Sequence, residues 1–437
     1  MKKINNSVLA LALFVGIANA NAQEKKTLTL DDAVQLGIQN SKNLKIDAAK
    51  IEEATANLLE AKNRQLPELK ISGSYMYLPL KPNIDIKLPG VSGAGGPEVH
   101  QVAYGSANVS VPIYSGGRIK YGIESAKYLV EASKLTTEND KVAIAYNVAQ
   151  AYNNLFKANQ SIKVLEENLT ASQKRDETFL KLENNGVIAR NDRLKASLQT
   201  SNIELQLLEA KNNYNIANIN MDLLLGLPET TEIEVDQNYI DEGNEVKALD
   251  FYLNEARENR KDLQALDKQR QAAALGTKSA KAENLPSIAF TGGYVAADIP
   301  KFLTIYNAVN VGVGISYNLS NLWKENSSLK QSKAREMQLA ATNELLNDNI
   351  KLDVNREYQN TDYSKKRIAV FEKSAEQANE NYRITKNKYD NGLATMTELL
   401  DADAAQISAN VGVINAKADA ALAYRKLLQT TGTLTNK

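Results

Sequence analysis

The spacing of apolar and polar residues predicts helices over most of the chain. Apolar residues three and four positions apart predict helices over residues 30–64, 191–225, 249–283 and 397–431. Two longer segments, 118–185 and 324–391, continue the same pattern without a proline. At 1.5 Å per residue, each of these coiled-coil-like helices is about 100 Å long. Two short helices placed end to end would match one long helix.

Strict alternation of apolar and polar residues predicts β-strands with two different faces. From Val309 to Leu319, apolar residues at every second position have the length and period of a transmembrane strand. Three shorter alternations predict further strands, marked by Ala107 to Ile113, by Ile71, Gly73, Tyr75 and Tyr77, and by Ile288, Phe290 and Tyr294. Tyrosines near strand ends or along one face suggest aromatic girdles: Tyr75, Tyr77, Tyr104, Tyr114, Tyr294, Tyr306 and Tyr317.

Four strands are too few to close a barrel within one chain. Because an open strand edge is not tolerated in lipid, strands that enter a membrane require several copies of the chain to share one barrel. Two copies would give eight strands and three would give twelve. The alternative interpretation is a soluble four-stranded sheet beside a helical bundle.

Residues that recur at fixed offsets indicate an internal duplication. Leu66-Pro67 recurs 219 residues later as Leu285-Pro286, and Asn185-Gly186 recurs 206 residues later as Asn391-Gly392. We predict a first repeat over residues 23–226, an acidic equatorial linker over 227–248, a second repeat over 249–432 and a tail over 433–437. Each repeat consists of a helix, two strands, a very long helix and a further helix.

The first residues have the order of a secretory signal peptide. Lys2 and Lys3 precede the apolar stretch 8–18, and small residues then offer cleavage after Ala20 or Ala22. We therefore predict that residues 1–22 are removed and that the protein leaves the cytoplasm.

Composition argues against most kinds of chemistry. The chain has no cysteine, and its only histidine is His100, so thiolate sites, histidine metal clusters and serine–histidine relays are not expected. Its 52 basic residues balance 52 acidic residues, so the chain lacks the excess of positive charge that is typical of nucleic-acid-binding proteins. We predict neither an enzyme nor a cofactor.

Five short segments, in their order and spacing, resemble the TolC-like outer membrane efflux protein family. They are residues 61–67 (AKNRQLP), 112–117 (PIYSGG), 185–192 (NGVIARND), 224–228 (LLGLP) and 389–402 (YDNGLATMTELLDA). The resemblance implies a homotrimer in the outer membrane, with a twelve-stranded β-barrel continuing into a helical α-barrel across the periplasm. It also implies the exit duct of a tripartite efflux or type I secretion system. Its partners would be a periplasmic adaptor protein, outer membrane lipid and, indirectly, an inner-membrane pump of RND, ABC or MFS type.

An alternative from a different class remains open on the sequence alone. A secreted or periplasmic coiled-coil protein, structural or adhesive, would also have long amphipathic helices. Such a protein would form no pore and would need no detergent.

Two glycine turns are the candidate functional site. Glycine permits a helix to end with positive φ, and an acidic residue near the next helix start is favoured by the helix dipole. By resemblance, these turns form the periplasmic tip, where the channel closes and the adaptor docks. The residues concerned are Gly186, Val187, Arg190, Asp192, Tyr389, Gly392, Leu393, Glu398 and Asp401. Ala394 stands where the family has a gating arginine, and Arg190 is the candidate to replace it. In a trimer the acidic residues would form rings that attract cations.

Prolines and glycines predict the joints between helices and strands. Pro67 and Pro286 stand where a helix gives way to a strand, and Pro112 where a strand returns to a helix, followed by Gly116 and Gly117. Residues 78–101 are rich in proline and glycine and predict an exposed extracellular loop.

Overall fold

The computed structural model of the chain describes residues 25–80, 99–240, 245–300 and 302–435. The predicted signal peptide and residues 81–98 of the predicted extracellular loop lie outside the described residues. None of the helices in the described ranges combines the length and the apolar character needed to cross a membrane. The chain forms two compact units. Unit 1 contains the described residues of 1–46, 137–261 and 347–437, and unit 2 contains those of 47–136 and 262–346.

Eight α-helices and six β-strands lie in the described residues. The helices are α1 Leu30–Asn40, α2 Lys42–Asn63, α3 Arg118–Asn184, α4 Arg190–Leu225, α5 Leu249–Asn259, α6 Lys261–Ala282, α7 Ser327–Asp390 and α8 Met396–Thr430. The strands are β1 Lys25–Leu28, β2 Glu68–Tyr77, β3 Gln101–Tyr114, β4 Glu232–Val235, β5 Ser287–Ile299 and β6 Leu303–Ser316. Short 3₁₀ helices cover Gln237–Ile240 and Leu319–Leu322. The predicted class, mainly helical with four longer strands, is confirmed.

The prediction of single helices over 30–64 and 249–283 is wrong, because each is broken after its eleventh residue. Ser41 has ψ 122° and Arg260 has ψ 116°, values that end one helix before the next begins. At each break, a side chain donates a hydrogen bond to the last carbonyl of another helix. Asn40 Nδ2 donates to the Leu225 carbonyl at 2.7 Å, and Arg260 Nη1 donates to the Thr430 carbonyl at 3.2 Å. Each contact satisfies a carbonyl at the end of a following helix, where no helical partner remains.

The ends of some predicted elements also differ. β6 stops at Ser316, so Tyr317 and Leu319 lie outside the strand, and α7 begins at Ser327 instead of residue 324. A 3₁₀ turn fills the space between them, in the copy that lacks the proline and paired glycines.

Pro112 was predicted at the end of its strand. In the structure it lies within β3. The pairing with β5 shifts register between Pro112 and Tyr114, an irregularity that tolerates the missing proline N–H. Gly116 and Gly117, with φ of 64° and 90°, make the turn into α3. A Cβ on Gly116 would lie 2.9 Å from the Ala282 carbonyl oxygen, so the turn requires glycine for space as well as for φ.

A buried belt around Tyr152 forms the main core of unit 1. β1 pairs in parallel with β4, and β4 lies in the segment predicted as the equatorial linker. Tyr152 lies beneath this pair, with no exposed surface. Its hydroxyl donates to the Leu28 carbonyl at 2.9 Å and accepts from the Asp236 amide at 2.7 Å. Burial raises the pKa of Tyr152 to about 12.

The four longer strands form one antiparallel sheet in unit 2. Their order is β2-β3-β5-β6, so β2 and β6 are the two edges within the chain. The register places Ile71, Ala107, Tyr294 and Val309 side by side, and Lys70, Asn108, Gly293 and Asn310 in the next row. Because successive side chains point to opposite faces, one face is apolar and the other polar. Tyr104 belongs to the polar face, whereas Tyr75, Tyr77 and Tyr294 belong to the apolar face.

Candidate functional site

The two predicted glycine turns have the same backbone geometry. Gly186 has φ 74° and Gly392 has φ 70°, which confirms the predicted left-handed conformation. The amide of the next residue reaches back to close each helix end. Val187 N donates to the Leu182 carbonyl at 2.9 Å, and Leu393 N donates to the Lys388 carbonyl at 2.8 Å. Both closures have the 6→1 pattern of a glycine helix cap.

A small apolar cluster joins the two turns within unit 1. Phe179 from α3, Ala196 from α4 and Met396 from α8 are buried together. The Tyr389 ring lies against Phe179, with centroids 5.9 Å apart at an edge-on angle. Burial, with the negative charges of Asp192 and Asp390, raises the pKa of Tyr389. Both helical hairpins therefore turn at the same end of the unit.

The acidic residues of the turns have different roles. Glu398 closes a capping box with Thr395: its carboxylate accepts from the Thr395 amide at 2.7 Å, and its own amide donates to the Thr395 hydroxyl at 3.2 Å. These bonds lower the pKa of Glu398. Asp192 lies in the first turn of α4, 3.5 Å from Lys195 Nζ. Asp401 is wrongly predicted as a helix-start residue, since it lies beyond the first turn of α8, where the dipole effect has fallen off.

The apex of each turn presents an apolar side chain. Val187 is 67% exposed and Leu393 is 77% exposed. Arg190 is exposed at the first position of α4, whereas Ala394 is half-buried. The structure thus brings the predicted tip residues together at one end of unit 1, while their gating and docking roles remain predictions.

A buried ion pair near the tip was missed in the sequence. Arg175 of α3 donates to both carboxylate oxygens of Asp403 of α8, at 3.0 and 3.1 Å, and to the Tyr382 hydroxyl of α7 at 3.4 Å. The Asp403 side chain is almost fully covered. A signal existed in the sequence, because both charged residues occupy positions where the helical period demands apolar ones. The contact fixes three helices to one another.

The apolar face of the sheet is uncovered in the single chain. Ile71 is 77% exposed, Val309 72% and Ile315 73%, although the chain buries such residues elsewhere. A contiguous exposed apolar face of this kind marks a surface that contacts lipid or a partner.

Helices α4 and α7 also present uncovered apolar stripes. Helix α4 packs against α3 and α8 through the cluster of Leu165, Ile203, Leu207 and Ile407. Helix α7 is joined to α8 by the Glu372–Lys417 and Arg367–Asp419 ion pairs. Each leaves one side exposed. The exposed residues fall at helical spacing and are Leu194, Leu198, Leu205, Leu208, Ile216, Ile219 and Leu223 on α4, and Leu352, Tyr363, Val370 and Ile384 on α7.

Comparison with known proteins identifies the class to which these features belong. The family model described as "Outer membrane efflux protein" matches residues 33–227 and 252–433. The chain therefore belongs to the outer membrane efflux protein family, as the resemblance predicted. No relative among the curated proteins matches the sequence.

Several solved structures share the fold. They include the outer-membrane channel OprN, 18% identical, which covers 92% of this chain and 90% of that chain with a TM-score of 0.76. The outer membrane protein VceC of Vibrio cholerae is 17% identical, covers 92% of this chain and 96% of that chain, and has a TM-score of 0.76. The Campylobacter jejuni CmeC outer membrane channel is 18% identical, with 93% and 86% covered and a TM-score of 0.74. At these identities the likeness shows the fold alone. The family consists of channel proteins of the outer membrane, not of enzymes.

Proposed function

We propose that three copies of the chain form the exit duct of a tripartite efflux system. Substrates would pass from an inner-membrane pump and a periplasmic adaptor through the trimer and out of the cell. The sheet is the single observation that supports this function best. It has an apolar face suited to lipid, a polar face suited to water, and two edges that one chain leaves unpaired. Pairing the edges with further copies satisfies every strand, as a bilayer requires.

The stripes on α4 and α7 support side-by-side assembly of the copies. Because both hairpins turn at the same end, residues equally far from the two glycines lie at the same level. Leu194 and Ile384 are each eight residues from Gly186 and Gly392, respectively. Leu208 and Val370 are each 22 residues from the same glycines. The two stripes therefore match in level, so α4 of one copy can pack against α7 of the next, and such head-to-tail contacts close a ring.

Reconstitution in planar bilayers tests the duct. Purified protein in detergent is expected to migrate as a trimer and to produce stable ion-conducting events when added to a bilayer. A monomer without conductance would contradict the proposal and favour a structural coiled-coil protein.

Cysteine pairs test the arrangement of the copies, because the chain has no cysteine of its own. Leu208→Cys combined with Val370→Cys should give a disulfide-linked trimer under oxidising conditions. Leu208→Cys combined with Ile384→Cys is the matched control. Ile384 lies 14 residues from Val370, or about 21 Å along α7, and is therefore at a different level from Leu208. Equal cross-linking of both pairs would contradict the register.

The exposed apices suggest where the adaptor docks. Val187 and Leu393 follow the two glycines, and their exposed side chains form apolar surface at one end of unit 1. Replacing both by serine should weaken copurification with the adaptor while leaving the trimer intact. Leu129→Ser is the control, because Leu129 is also an exposed apolar residue but lies on α3 outside unit 1. Unchanged adaptor binding by the double variant would exclude docking through the apices.

A further inference from the structure

The polar face of the sheet presents two opposite charges on one strand. Glu68 and Lys70 are both exposed on β2, two residues apart, and therefore point to the same face. Their rows across the sheet contain no other ionised side chain. The Glu68 row continues through Ser110, Thr291 and Gly312, and the Lys70 row through Asn108, Gly293 and Asn310.

The row of Lys70 and the next row of the same face, which contains Ser72 and Ser106, form a closely packed band of amides and hydroxyls. A Cβ on Gly293 would lie 2.8 Å from Asn108 Oδ1 and 3.0 Å from Asn310 Oδ1, so both amides lean over this glycine. Asn108 Nδ2 also donates to the Ser106 hydroxyl at 3.1 Å. The Ser106 hydroxyl in turn lies 2.8 Å from that of Ser72. This polar band has the character of a water-facing wall, opposite the apolar face that carries Ile71 and Val309.

The two charges come from the first repeat alone. Ser287 and Ala289, which lie 219 residues after Glu68 and Lys70, respectively, are neutral. Threefold assembly would therefore produce three glutamates and three lysines around the pore, not six of each.

We propose that Glu68 and Lys70 form adjacent rings of opposite charge that cancel in the pore at the level of the sheet. This inference rests on the trimeric duct proposed above. Two residues of a strand span about 6.7 Å, less than the Debye length of about 8 Å at physiological salt. The fields of the two rings therefore overlap, and a passing solute meets little net charge. This part of the duct then admits anions, cations and zwitterions alike, and any charge preference arises elsewhere along the pore.

Reversal potentials in a salt gradient across a planar bilayer test the cancellation. Relative to the wild type, Lys70→Gln should shift the reversal potential toward cation preference, because three glutamates are left unbalanced. Glu68→Gln should shift it toward anion preference. The double variant should return to the wild-type value, since it removes both rings. Single variants without a shift, or a double variant that does not return, would overturn the inference while leaving a conducting duct in place. A wild type that does not conduct would instead contradict the duct itself.

Charged thiol reagents test which face of the sheet lines the pore. In Lys70→Cys channels, a membrane-impermeant anionic reagent should increase cation preference further, and a cationic reagent should restore the wild-type value. Ile71→Cys is the matched control, one residue away on the opposite face. It should neither react nor change selectivity. Modification of Cys variants at both positions to the same extent would contradict the assignment of the polar face to the pore.

Discussion

The belt of unit 1 and the sheet of unit 2 use similar apolar residues in opposite ways. In the belt, Leu155 and Ile233 are completely covered by the chain itself. In the sheet, the valines and isoleucines of one face are left open to the surroundings of the single chain. The chain thus completes the first region alone, whereas the second region needs lipid or further copies. Membership of a family of outer membrane channels explains why natural selection tolerates so much uncovered apolar surface.

The two regions also treat polar groups differently. In the belt, the buried Asn218 amide is hydrogen-bonded through both of its polar atoms: Nδ2 donates to the Thr231 carbonyl at 2.6 Å, and Oδ1 accepts from the Ile233 amide at 2.9 Å. In the sheet, polar side chains such as Lys70, Asn108 and Asn310 lie on one face and remain exposed. Burial in the belt removes the alternative of bonding to water, whereas exposed polar groups of the sheet keep it.

The largest expected effect is on the belt. Tyr152→Ala removes a fully buried ring and leaves the Leu28 carbonyl and the Asp236 amide without their partner. We expect a loss of about 3–5 kcal/mol in the free energy of unfolding. Denaturant titration in detergent would measure it. Tyr152→Phe, which keeps the ring but not the hydroxyl, should lose less; equal losses would show that packing of the ring contributes nothing.

An intermediate effect is expected on the sheet, and it should depend on the face. Val311→Lys places a charge on the apolar face and should cost about 2–4 kcal/mol if that face meets the centre of a bilayer. Asn310→Lys, one residue away on the polar face, should cost much less. The measurement is the fraction of protein that folds into lipid vesicles against denaturant. Similar costs for the two variants would remove the distinction between the faces.

The smallest effect concerns a carboxyl group in the belt. Asp222 is fully covered and accepts from Asn218 Nδ2 at 3.0 Å. Burial, with the nearby charge of Glu229, raises the pKa of Asp222 from 3.8 to about 6. The folded state therefore holds this proton more tightly than the unfolded state. Its stabilising contribution is full below pH 3.8 and is lost as the pH rises through 6.

Asp222→Asn should remove this pH dependence. At pH 8 we expect the variant to be more stable than the wild type by about 1–3 kcal/mol, and at pH 4 to differ little. Thermal unfolding at both pH values would measure the difference. Equal destabilisation of the variant at both pH values would contradict the expectation, because the loss would then not depend on ionisation of the carboxyl group.

Sequence reasoning succeeded where structure depends on local periodicity. The long helices α3 and α7 and the alternation at Val309 to Ile315 are repeated over many residues, so chance matches are improbable. The glycine turns could also be predicted from the sequence, because few residues other than glycine adopt positive φ.

Long-range pairings left weaker signals. β1 and β4 have four residues each, which is too short for periodicity to reveal them. They are also far apart in the sequence, since Thr27 and Glu234, which bond to each other, are separated by 207 residues. The Arg175–Asp403 pair joins residues 228 positions apart. Polar residues at core positions indicate that a partner exists but not which residue it is. The break at Ser41 was hidden because a single extended residue hardly disturbs the helical pattern.

The unequal capping of the two tip turns has a dynamic consequence. α8 begins with the Thr395–Glu398 capping box, whereas α4 follows Ala189, whose side chain cannot cap the helix. The first amides of α4 therefore depend on backbone carbonyls or water, and an uncapped helix start is less stable by about 1 kcal/mol. The α3–α4 hairpin should consequently fray more readily at its turn than the α7–α8 hairpin. In a threefold assembly, three hairpins whose turns unfold more easily would then alternate with three whose turns are more stable.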